Sequence, residues 1–171
     1  MSEHAAELHA VGRAQLERVM RHAVGSSTAE LGAWEWHALP YHAVLPGRVL
    51  ARVTGSALVD GRAVVPWSSV VKIIRQPAGD ERGELATGTR EILAYRSGLL
   101  VDLPGPLRAP RVLAIDEDDA AVWLWLEDLQ DIYARRWPLE QFGLAAGTWV
   151  SSTARISSRA RCPPSPGSTP G

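Results

Sequence analysis

WSSVVKIIR, residues 67–75, carries the only lysine of the chain, Lys72, in the middle of an apolar run. The other seventeen basic residues are all arginine. Strand alternation places Lys72 on one face with Val70 and Ile74, so its ammonium projects beside apolar groups. A lone lysine on an edge strand commonly snorkels to water. Solitary use points the other way, to a slot that needs a compact ammonium and that the broad planar fork of arginine would not fit.

Outward from this stretch, the chain reads as short elements between turn signals. RAVVPWSSVVKIIR (62–75) follows Val59-Asp60-Gly61-Arg62, a hairpin turn whose Asp-Gly pair tolerates positive φ. Pro66 is expected at a bulge or an edge. RVLARVTGSALV (48–59) is the preceding strand, and WEWHALPYHAV (34–44) the one before that. Upstream, residues 3–24 carry Leu8, Val11, Leu16, Val19 and Met20 at helical spacing, ended by GSST (25–28). Downstream, PAGDERGELATG (77–88) is a polar loop, and Thr89 caps a helix through TREILAYRSGLL, with Glu91 in its first turn. PGPLRAP (104–110) stops it. RVLAID (111–116) and AAVWLWLEDL (120–129) form a second hairpin about EDD, and Pro138 opens a helix in RRWPLEQFGLAA (135–146). Residues 147–171 lack any acidic residue, are rich in Ser, Pro, Gly, Thr and Arg, and cannot form a core.

Composition narrows the function. The chain has 171 residues, 46% of them hydrophobic, enough for one core or a lobe of something larger. A net charge of −1 argues against nucleic-acid or membrane-surface binding driven by bulk charge. Cys162 is the sole cysteine, so no intrachain disulfide forms. The N-terminus lacks the pattern of a signal peptide, and AAVWLWL (120–126) is too short to span a bilayer. The default expectation is a soluble cytoplasmic protein. His4, His9, His22, His37 and His42 show no metal spacing, and Glu117 to Asp119 read as a solvated turn. Trp34, Trp36, Trp67, Trp123 and Trp125 read as core and sheet-face packing. Tyr95 and Leu99 read as core contacts, and the arginines at 155, 159 and 161 are too sparse for a nucleic-acid site.

A strand lysine, a helix glutamate and two further strands ending in a polar segment follow the layout of a kinase N-terminal lobe. An ammonium can hold α- and β-phosphate oxygens of ATP while a carboxylate on the packed helix fixes it. WSSVVKIIR, TREILAYRSGLL, PRVLAI with AVWLWLEDL, and RWPLEQFGLAA together resemble the N-lobe of the aminoglycoside phosphotransferase and choline kinase-like family, over roughly residues 40–146. The resemblance implies an α+β fold: a five-stranded antiparallel sheet with a packed helix, plus an N-terminal helix. It divides the chain into 1–33, a lobe at 34–129, a linker and helix start at 130–146, and a tail. It makes Lys72 the phosphate-binding lysine and Glu91 its partner, with Glu84 in the preceding loop the weaker choice. Leu126, Glu127, Asp128 and Leu129 become the hinge whose backbone groups would hold adenine. The simplest reading leaves the Glu127 and Asp128 side chains in solvent, without specific work. Gly47, in HAVLPGRVL (42–50), either lets backbone N–H groups approach a phosphate or makes a plain turn with Pro46. That segment departs from the family in lacking a glycine-rich pattern.

The same resemblance implies ATP with Mg²⁺ as cofactor and a hydroxyl group of a small molecule as acceptor, its identity open. The catalytic aspartate and metal ligands of the family lie in a second lobe. Here the last histidine is His42, the last acidic residue is Glu140, and asparagine is absent. This chain is therefore expected to bind nucleotide weakly at best and not to transfer phosphate. Relatives of this kind tend to continue with a string like AARHLGQFNGAYL. One base restored after the codon for Ala146 lets a coding string for AAGTWVSSTARIS (145–157) read as that sequence. Residues 147–171 are on that basis expected to be an out-of-frame read-through, a natural disordered tail being the alternative. The rival from another class is a non-catalytic binding or regulatory module with a small mixed sheet.

Overall fold

The computed structural model describes residues 11–39, 48–75, 90–101, 103, 108–119, 121–129 and 139–140. The chain divides into two compact units, residues 1–97 with 110–130, and residues 98–109 with 131–171. In the second, a turn is closed from the Val101 N–H to the Gly98 carbonyl at 3.0 Å, and residues 139–140 are helical.

Helix α1 runs over Arg13–Val24. Gly25 ends it in the left-handed conformation, φ 71°, its N–H returning to the Arg21 carbonyl, as the GSST signal foretold. Leu16, Val19 and Met20 form its buried stripe. Five strands follow: β1 (Glu30–Ala38), β2 (Arg48–Val59), β3 (Ala63–Arg75), β4 (Val112–Glu117) and β5 (Ala121–Glu127). They form one antiparallel sheet in the order β1-β2-β3-β5-β4. The α+β class and the five-stranded antiparallel sheet agree with the expectation from sequence.

The Asp60–Gly61 turn fixes the register of the longest hairpin. Both residues take positive φ, 52° and 64°, and Arg62 N–H closes on Val59 O at 3.1 Å. From there β2 and β3 pair without a break from Val59↔Ala63 to Arg48↔Ile74. Pro66 lies in register opposite Ser56, so it makes no bulge. β5 pairs with β3 only between Ser69 and Arg75, which leaves Ala63–Ser68 with an open edge among the described residues. A proline lacking an N–H is tolerated there.

Each face of β3 enters a different core. Trp67, Val71 and Ile73 join Leu16, Val19, Met20, Val49, Ala51, Val53 and the fully buried Trp125 beneath α1. Ile74 turns the other way, into a smaller cluster with Val122, Leu124, Leu126 and Ile92. Ile92 belongs to helical residues 90–96, so this helix covers the face that carries Lys72. Burying Leu16, Val19 and Met20 contributes about 1.5–3 kcal/mol each, which makes α1 part of the same core as the sheet.

Four expectations change. The first strand begins at Glu30, ahead of Trp34, and carries a bulge between Leu31 and Trp34. Trp34 is consequently exposed on an edge strand, whereas Trp36 and Trp123 pack against the α1-side core. The helix after Thr89 stops at residue 96, because Gly98 takes φ 73°. Leu99 falls in the turn beyond it and is 50% exposed, so it is no core contact; Tyr95 does pack against the second cluster. Residues 3–10, 40–47 and 76–89 and the tail, with the expectations placed on them, lie outside the described residues. Among the described residues no helix is long and apolar enough to cross a membrane.

Candidate functional site

Lys72 stands in the third strand of five, flanked across the ladder by Leu50 on β2 and Leu124 on β5. Leu124 is fully buried, so the lysine stem lies along apolar surface, as alternation required. Its ammonium forms an ion pair with the Glu91 carboxylate. Glu91 is at the start of helical residues 90–96, and Ile92 beside it anchors that helix to the sheet. The two side chains are 22% and 32% exposed, so the pair is shielded while a face of it stays open to solvent. One turn on, Tyr95 has its phenol pushed above the usual value, first by burial and then by the nearby Glu91 and Glu127 carboxylates.

The four expected hinge residues follow directly at the end of β5. Leu126 is buried opposite Val70 and Val112. Leu129 is exposed. Glu127 and Asp128 correct the simple reading, because neither side chain is idle in solvent. The Glu127 N–H donates to Arg111 O at 2.9 Å, and its carboxylate accepts from the Arg111 N–H at 2.9 Å. Arg111 in turn donates to the His22 carbonyl near the end of α1, at 3.4 Å. The Asp128 carboxylate is only 4% exposed and lies 2.9 Å from Arg52 Nε. That N–H is not aimed along the contact, so the two form an ion pair without a directed hydrogen bond, and Asp128 Oδ1 has no hydrogen-bond partner among the described residues. Gly47 and Glu84 lie outside the described residues.

Arg52 is the residue that sequence reasoning missed. Alternation puts it on the face of Lys72, but its partner is 76 positions away. Only the strand order, with β3 and then β5 next to β2, brings the two together. Near this pair a cavity of about 830 Å³ opens where β5 stops, lined by Arg52, Thr54, Trp67, Ser68, Arg111 and Asp128 among others. Lys72 and Glu91 do not line it. At the β4–β5 tip, Asp118 accepts from the Ala121 N–H at 2.8 Å, which makes it a turn-closing residue. Among the described residues no three His, Cys, Asp or Glu side chains are grouped to hold a metal ion.

Against family models, curated proteins and solved structures, the chain finds no match.

Proposed function

We propose that this chain is the N-terminal lobe of an ATP-dependent phosphotransferase acting on a hydroxyl group of a small molecule, similar to the aminoglycoside phosphotransferases. The observation that carries the reading is the Lys72–Glu91 pair: the one lysine of the chain, held on an apolar strand face by a carboxylate from a packed helix. A shielded ammonium with an open side suits two adjacent phosphate oxygens, and the carboxylate keeps it pointed when no ligand is bound. Residues 126–129, at the end of the neighbouring strand, would offer backbone groups to the base. The expected Mg²⁺ would be held by a second lobe, so residues 1–146 position nucleotide and transfer nothing.

Thermal unfolding with Mg-ATP tests this. At a ligand concentration tenfold above Kd, stabilisation is about 1.4 kcal/mol. Lys72→Met should abolish the rise in Tm, because it keeps the stem and removes the charge. If Mg-ATP leaves the Tm of the unaltered chain unchanged, or if Lys72→Met keeps the full rise, nucleotide positioning by this pair is wrong and a non-catalytic module takes its place.

A further inference from the structure

The cavity at the end of β5 is separate from the Lys72–Glu91 pair, and it is lined by the side chains of Glu127 and Asp128, whose backbone groups the nucleotide reading uses. Ala23, Val24 and Leu113 wall it from the α1 side, and Val65, Pro66 and Trp67 lie along the open edge of β3. Arg52, Thr54, Ser68 and Asp128 reach it from the opposite face, through the gap left where β5 ends. Its volume of about 830 Å³ falls in the range of small-molecule sites, about 300–1,000 Å³.

Three polar atoms of its lining residues are buried without a hydrogen-bond partner among the described residues: the Arg52 Nε–H, the Trp67 indole N–H and Asp128 Oδ1. Buried polar groups in native proteins are nearly always paired, and an exception calls for a missing partner. Two of these atoms are donors and one is an acceptor, so neither a pure anion nor a pure cation satisfies the set. The charges balance as well, with Arg52 and Arg111 against Glu127 and Asp128. A hydroxyl fits, since it donates once and accepts twice at a single atom. Apolar walls beside polar ones suit a molecule whose C–H faces alternate with hydroxyls.

From the Asp128, Arg52 and Trp67 atoms left without a directed hydrogen bond beside this charge-balanced cavity, we propose a binding site for a small polyhydroxylated molecule of mono- or disaccharide size. Contact with any of the three atoms requires side-chain rotation, because Arg52 Nε, Trp67 Nε1 and Asp128 Oδ1 are all closed to solvent.

The test is a titration of the whole chain with glucose, sucrose and glycerol, followed by the indole N–H resonances of its seven tryptophans. Trp67→Phe assigns the reporter signal. At least one of the three probes should move the Trp67 resonance saturably, and Asp128→Asn should weaken that binding at least tenfold. Ser68→Ala, a milder change on the same wall, should weaken it several-fold at unchanged Tm, which covers the case of an Asp128 variant that folds poorly. Linear shifts across all tryptophans, no shift with any probe, or full affinity in Ser68→Ala and in any folded Asp128→Asn would overturn the proposal and leave water as the occupant.

Discussion

The Arg52–Asp128 pair makes an asymmetric prediction. Asp128 is 4% exposed, whereas the Arg52 side chain is 37% exposed. Removing the arginine leaves a buried carboxylate with no countercharge; removing the carboxylate leaves a guanidinium that can turn to water. Arg52→Met keeps the aliphatic stem and should cost about 3 kcal/mol, the low end for stranding one member of a buried pair. Asp128→Asn keeps the shape and should cost about 1 kcal/mol, the range of exposed pairs, since the surviving partner is solvated. For a folding unit of a little over a hundred residues, about 4 °C per kcal/mol gives losses of roughly 12 °C and 4 °C. Urea unfolding of both variants and of the double variant, at unchanged m-value, measures the same quantities and their coupling. Equal losses, or a larger loss for Asp128→Asn, would refute the argument from unequal burial.

Two further variants probe the frame around the site. Gly55→Ala would bring a Cβ within 2.7 Å of the Ala33 carbonyl oxygen and 2.9 Å of Trp67 Nε1. Backbone on one side and a buried ring on the other cannot yield cheaply, so a loss of about 1–3 kcal/mol is expected. Gly12→Ala, with nothing within 4 Å, is the control for that melting comparison. Tyr95 gives an alkaline signature. Its folded pKa is raised above 10.0, so the folded state holds the proton more tightly, and the stability this contributes is lost as pH rises past 10. Tyr95→Phe should flatten the fall in Tm between pH 9 and 11, and an unchanged slope would remove Tyr95 from the account.

What was legible in the sequence was local. Asp60-Gly61 announced its turn and thereby the β2–β3 register, because tolerance of positive φ is decided locally by the residue itself. Gly25 and Gly98 set helix ends for the same reason, and Gly98 ends its helix ahead of the apolar Leu99-Leu100 that would extend the pattern. The Lys72–Glu91 contact was within reach because alternation and helix position each fix a direction locally. Asp128 was read as solvated because burial of a strand end depends on what other strands bring over it. That required knowing that β5 lies beside β3 and ends opposite Ser69. The early start of β1 was missed because Gly32 and a bulge break the alternation that marks a strand.

The single lysine has a practical consequence. Apart from the N-terminal amine, every amine-directed reagent that meets this chain has one target, and that target is ion-paired to Glu91. Acylation rate at Lys72 is therefore a direct chemical gauge of the pair, slow while the carboxylate holds the ammonium and faster when Glu91→Gln releases it. A fluorophore delivered by the same chemistry would sit on the central strand without any cysteine engineering.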